Sequence, residues 1–205
     1  GTDMVPMLAQ SMKTNTTLTE LVLEHQLQKL KGQSTVTIAL PVQELTGSTG
    51  VASIDLSTAG ELSKNSCLAM TALIAHSKVV TSLRLSGTKL GDEAGSLLPM
   101  LEEQCKSGQL ATLDLSSIGL SDRGARKLFD AVMSGEYPAL HSLLLSGNTL
   151  KDLKANGLVD MLRAEDCPLT ALDVSSNPLS GAMVLRSLKF NSSLTYLNVC
   201  GTELD

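Results

Sequence analysis

The chain has 205 residues and is 42% hydrophobic but only 2% aromatic, so any core must be built from Leu, Val, Ile, Ala and Met. A net charge of -5 argues against a nucleic-acid partner, which demands a basic stripe along the phosphates. No run of about 18 apolar residues exists, so no membrane span is expected.

In chain order, the opening GTDMVPMLAQ carries neither the basic nor the apolar region of a signal peptide. It contains a helical stripe instead, with Val5, Leu8, Ala9 and Met12 at i, i+3, i+4 and i+7. A strand-like unit follows at Leu18, Leu21 and Leu23. His25 to Gly50 breaks the register: it has no helical stripe, but Val36, Ile38 and Leu40 alternate as in a strand. This irregular segment, residues 25–50, is expected to replace a helix with an extended stretch and a loop, and Pro41 and GSTG mark its turns.

Through the chain one pattern recurs seven times, apolar at positions 1, 4 and 6 and usually 11, as in LATLDLSSIGL from Leu110 to Leu120. Position 1 falls at Leu18, Val51, Val80, Leu110, Leu140, Leu169 and Leu194. Positions 4 and 6 are Leu, Ile or Val in every unit. Apolar alternation across positions 4 to 6 predicts a short strand with one face inward. Between the strands lie helical stripes: Ser66/Ala69/Met70/Leu73, Ala94/Leu97/Leu98/Leu101, Ala125/Leu128/Phe129/Val132, Ala155/Leu158/Val159/Leu162 and Gly181/Val184/Leu185/Leu188. Met4, Met7, Met12, Met70, Met100 and Met133 fall on or beside these stripes and are expected to fill the core. A strand followed by an amphipathic helix, repeated about every 29 residues, is the long form of the leucine-rich repeat. The expected fold is an α/β leucine-rich-repeat solenoid of about seven repeats, a curved array with a parallel sheet on its concave side and helices on its convex side. The array is expected to form a single domain over residues 1–205, cut from a longer one.

Position 9, where this repeat usually places an asparagine that bonds the turn, holds Asn148 and Asn177. Thr88 and Thr202 can substitute in part, whereas Ile118 and Ala59 cannot. The turn amides of those repeats need another source of acceptors. Cys67, Cys105, Cys167 and Cys200 are scattered and are expected to be free thiols in a reducing, cytoplasmic compartment.

No Walker loop, nucleophile elbow or H-E-x-x-H is present, and His25, His76 and His141 lie in different repeats. The serines at position 7 follow from the repeat spacing, with no base offered to activate them. No enzyme activity, cofactor or metal is expected. Positions 3, 5 and 8 should line the concave face. Position 5 reads Val22, Asp55, Arg84, Asp114, Leu144, Asp173 and Asn198, so Asp55, Arg84 and Asp114 become neighbours alternating in sign. They form either a surface ion-pair ladder or a partner site anchored on Arg84. Candidate protein-binding residues are Glu20, Asp55, Arg84, Asp114, His141, Asp173 and Tyr196.

The stretches LSGTKLGDEAGSLLPML, LSSIGLSDRGARKLFDAV and SSNPLSGAMVLRSLKFNSSLTYL resemble the ribonuclease-inhibitor type of leucine-rich repeat. Members of that class are mostly intracellular protein binders, so the resemblance implies a non-enzymatic interaction scaffold. MLRAEDCPLTALDVSSN (Met161 to Asn177) and NSSLTYL (Asn191 to Leu197) are similar to late repeats of the CARMIL family of actin capping-protein regulators. MKTNTTLTEL is more distantly similar to the tropomodulin family. These likenesses imply a cytoskeletal setting but no binding residues, because CARMIL proteins hold capping protein outside the repeats. The alternatives are a GTPase-activating module, since Ran-activating proteins share the repeat type, and the ligand domain of an innate-immune sensor.

Overall fold

A computed structural model describes residues 7, 11, 15, 17–29, 32–74, 77–97, 109–135 and 139–203. The Val5 to Met12 stripe, Leu98, Leu101, His76, Met4, Met100 and Cys105 lie outside the described residues.

Six three-residue strands make one parallel sheet in sequence order. They are β3 (Ser53–Asp55), β4 (Ser82–Arg84), β5 (Thr112–Asp114), β6 (Ser142–Leu144), β7 (Ala171–Asp173) and β8 (Tyr196–Asn198). Each spans positions 3 to 5 of the repeat. The register aligns position 4 across all six: Ile54, Leu83, Leu113, Leu143, Leu172 and Leu197. Ile54 through Leu172 are at most 1% exposed, and Leu85, Leu115, Leu145 and Val174 at position 6 are fully buried. Burial at this level is worth roughly 1.5–3 kcal/mol per side chain.

The opposite layer is helical. It comprises α1 (Val42–Leu45), α2 (Lys64–Ile74), a 3₁₀ turn (Gly91–Ser96), α3 (Asp122–Met133), α4 (Leu158–Arg163), α5 (Gly181–Ser187) and a second 3₁₀ turn (Leu188–Phe190). The stripe Ala125, Leu128, Phe129 and Val132 is buried in α3 as expected, and Ser66, Ala69, Met70 and Leu73 are buried in α2. Cys67 sits in the same interior, and burial, with the Glu93 charge adding to it, pushes its thiol up to about 12. Cys67, Cys167 and Cys200 are free.

Several expectations are corrected. Residues 25–50 contain the expected extended stretch through Val36, Ile38 and Leu40, but they are mostly regular and not irregular. Residues 25–29 complete β1 (Glu20–Lys29), which pairs antiparallel with β2 (Gly32–Pro41), and α1 follows. The alternating, β-branched run at 35–38 favours a strand, and its partner lies just upstream, so loop closure costs little. The unit at Leu18, Leu21 and Leu23 therefore enters this hairpin and stays out of the parallel sheet, although its leucines still pack on the common core. Ala155 is exposed because the Asp152 carboxylate accepts from the amides of Lys154 and Ala155, holding a turn there, and α4 begins only at Leu158. In α5 the buried face is Gly181, Val184 and Ser187, which turns Leu185 outward at 47% exposure. Met70 is buried, but Met7 is exposed.

The missing turn acceptors at Ile118 come from the following repeat. Asn148 Oδ1 accepts from the amides of Ile118, Gly119 and Leu120, and Nδ2 donates to the carbonyls of Leu115 and Leu145. Asn177 repeats the scheme toward Leu150 and Leu145. Thr88 and Thr202 reach only the carbonyls of Leu85 and Val199 within their own turns. A third tie between repeats comes from position 13. There Asp92 accepts from the amide and hydroxyl of Ser121, and Asp122 accepts from the amides of Lys151 and Asp152 and from Asn156 Nδ2.

Asn148→Ala strands three buried or half-buried amides and the Leu115 carbonyl, while the Leu145 carbonyl keeps its bond from Asn177 Nδ2, and is expected to lower stability by about 3 kcal/mol or more in urea unfolding. Thr202→Val, which loses one bond inside its own turn, should cost about 1 kcal/mol. Equal effects of the two would show that Asn148 does not join the repeats. Gly95 offers a second test. A Cβ there would run into the backbone carbonyl of Gly124, which has no rotamer to yield. Gly95→Ala is expected to destabilise by about 2 kcal/mol through overpacking, rather than to stabilise the turn as a helix-favouring change would. A raised urea midpoint would exclude the clash.

Candidate functional site

The helices cover one side of the sheet, and positions 3 and 5 point to the other. Position 3 is small on five strands (Ser53, Ser82, Thr112, Ser142, Ala171) and becomes Tyr196 on β8, a residue 53% exposed. Position 5 forms a continuous row in register: Asp55, Arg84, Asp114, Leu144, Asp173 and Asn198. Three-residue strands fix these side chains closely, because a slip of one residue would send the leucine ladder to solvent.

The row has internal structure that spacing alone does not reveal. Asp55, Asp114, Asp173 and Asn198 each use Oδ1 to accept from the amide two residues on: Ser57, Ser116, Ser175 and Cys200. These are Asx turns that start the chain's bend off the strand. Arg84, the one cation of the row, makes the matching contact through its side chain, donating from Nε to Ser86 Oγ at 2.9 Å. The guanidinium also bridges Asp55 (3.5 Å) and Asp114 (3.2 Å). The Asp114 side chain is only 12% exposed, so its charge depends on that neighbour more than the open Asp55 charge does. Hydrogen bonds from the Ser57 hydroxyl and amide, and to a smaller extent the Arg84 charge, hold the Asp55 carboxyl below the usual carboxylate range.

Asp173 is placed differently. Its second oxygen accepts from Asn198 Nδ2 at 3.0 Å, and among the described residues no cation pairs with it. The neighbour on its other side is Leu144, half-buried on β6.

The expected residues therefore divide. Asp55, Arg84 and Asp114 come together, and Asp173 and Tyr196 lie on adjacent strands of the same face. His141 is exposed at the entry to β6, and its backbone carbonyl is taken by the amides of Thr170 and Ala171. Glu20 is exposed at the start of β1, outside the parallel sheet. The structural aspartates Asp92 and Asp122 went unanticipated, although their signal is in the sequence: position 13 is Asp in three successive repeats, at 92, 122 and 152. Among the described residues, no group of three His, Cys, Asp or Glu side chains could hold a metal ion. Nor is any described helix long and apolar enough to cross a membrane.

Sheet, helical layer and asparagine turns together make this chain an α/β leucine-rich-repeat solenoid with an open sheet face. In agreement, a family model described as "Leucine Rich repeat" matches residues 76–98. No curated protein matches the chain. A solved structure titled "Leiomodin-1 Actin-Binding Site 2 (ABS2)" is similar over 77% of this chain and 76% of that one, with 15% sequence identity and a TM-score of 0.47.

The order of causes at Asp55 can be checked by following its carboxyl in an NMR titration. Ser57→Ala is expected to raise the midpoint more than Arg84→Gln does. Because the folded value is the depressed one, whatever stability it contributes is present above the ordinary carboxylate range and lost as pH falls through the folded midpoint. A larger shift from Arg84→Gln would make the ion pair the dominant cause.

Proposed function

We propose that the chain is a non-enzymatic protein-interaction scaffold, that it binds a protein partner on the concave face of its sheet, and that it works in the cytoplasm in cytoskeletal regulation. The observation that carries the reading is the row Asp55 to Asn198 beside Tyr196. Charged, apolar and aromatic side chains are held there on six registered strands, with no described element over them. Such a face is pre-organised: its side chains lose little further freedom when a partner lands. An exposed tyrosine gives it the kind of anchor that carries binding energy in interfaces. The cytoskeletal setting rests on the likeness of residues 161–177 and 191–197 to CARMIL repeats. Arg84, the guanidinium that a GTPase-activating role would call on, is committed to Asp55 and Asp114, so the scaffold reading is the stronger one.

The test compares proteins captured from cell lysate by wild type, Arg84→Gln, Tyr196→Ala and the helix-side control Arg126→Gln, each first verified as folded by circular dichroism. Arg126 bridges Asp130 and Asp160 away from the sheet. Proteins held by wild type and Arg126→Gln but lost from Tyr196→Ala, with Arg84→Gln retaining less, support concave binding. Identical capture by all four baits would overturn it.

A further inference from the structure

We infer that the concave face recognises a basic segment of its partner, with an arginine or lysine seated on Asp173 between Leu144 and Tyr196, and that Arg84 is a positioning residue and not the anchor. This deepens the scaffold reading and rests on it.

Across positions 2 to 8 of the six sheet-forming repeats, the charged residues are Asp55, Arg84, Asp114 and Asp173, and His141 is the one histidine. Three carboxylates face one guanidinium, and that guanidinium is already shared between two of them. The Asp55–Arg84–Asp114 triplet is thus largely satisfied within itself. To enter it, a partner cation would have to displace Arg84, leaving the nearly buried Asp114 to be paired again.

Asp173 needs no displacement. Its turn duty occupies one oxygen and its bond from Asn198 Nδ2 occupies one site on the other, which leaves its negative charge unpaired by any cation among the described residues. A carboxylate offers about four lone-pair sites, so acceptor capacity remains for an incoming N–H. Its surroundings suit the rest of a basic side chain. Leu144, the one apolar member of the row, lies beside it in register, and half-exposed Tyr196 stands one strand over at position 3. A methylene stem can lie along Leu144 while the charged head meets the carboxylate, and a tyrosine ring face adds cation–π attraction. The small residues at position 3 leave the floor open to an extended chain.

Asp173 can be tested without breaking its turn. Asn198 shows that asparagine performs the same turn role one strand away, accepting from the Cys200 amide. Asp173→Asn therefore removes the charge and keeps the bend, giving up only the bond that the second oxygen accepts from Asn198 Nδ2. The probes are fluorescein-labelled peptides of equal length, alternating Arg-Ser, Glu-Ser or Gln-Ser, titrated by fluorescence anisotropy against wild type, Asp173→Asn, Tyr196→Ala and the helix-side control Asp160→Asn.

The Arg-Ser peptide is expected to bind best, to weaken about tenfold with Asp173→Asn, and to be little changed by Asp160→Asn. Binding should also fall as added salt screens the pair. Equal binding of the three peptides, or equal weakening by Asp173→Asn and Asp160→Asn, would overturn the assignment, the latter because it reports only overall negative charge. Lysate capture with the Asp173→Asn bait separates the two levels. Partners lost from Tyr196→Ala but fully kept by Asp173→Asn would overturn the basic-segment inference and leave concave binding standing. Partners kept by both, and by Arg84→Gln as well, would overturn concave binding itself.

Discussion

One alignment governs this molecule: the position-4 side chains from Ile54 on β3 to Leu172 on β7 lie in a single column at the centre of the core, and partly buried Leu197 on β8 continues it. A repeat of about 29 residues cannot surround its own leucines, so each one needs the units on either side to be dry. Register then follows from burial, and everything on the open face follows from register. The same constraint that hides Leu113 and Leu143 places Asp114 beside Leu144. Chemistry on this face is therefore written mainly at position 5, one residue per repeat, with position 3 small except at Tyr196.

The polar bonds do a second job that the leucines cannot. Hydrophobic burial is nearly indifferent to rotation about the array axis, whereas the Asn148 and Asn177 amides accept and donate along fixed directions between adjacent turns. The position-13 aspartates add a tie on the helical side. Gly95 and Gly124 let the backbones of successive repeats approach where a side chain would hold them apart. Together these contacts set how one repeat sits on the next.

Much of this is legible in the sequence because the strand pattern is carried by side chains with one physical requirement, dryness. The apolar positions of the six sheet-forming repeats, apart from the exposed Val51, and the stripes in α2 and α3 are of this kind. The departures occur where a local polar bond overrides periodicity. Ala155 has the right spacing for the helix stripe, but Asp152 captures its amide and delays α4. Leu185 fits the same template, but α5 is short and buries Ser187 instead. Leu21 and Leu23 carry the strand signature, yet a ten-residue partner downstream draws them into a hairpin. At the face, sequence placed Asp55, Arg84 and Asp114 together. It did not reveal that the aspartates cap turns, because a carboxylate that faces a partner and one that faces its own backbone look the same in a string of letters.

The direction of the asparagine bonds has a consequence for how the protein is made. The amides of Ile118, Gly119 and Leu120 find their acceptor in Asn148, up to 30 residues later in the chain. During translation, each such turn waits for the next repeat to leave the ribosome, a delay of about 2–6 seconds at 5–20 residues per second. The turns at Ile118 and Leu150 thus stay unfinished until Asn148 and Asn177 are made. Where codon usage slows elongation in between, such a turn is left open to chaperones for longer.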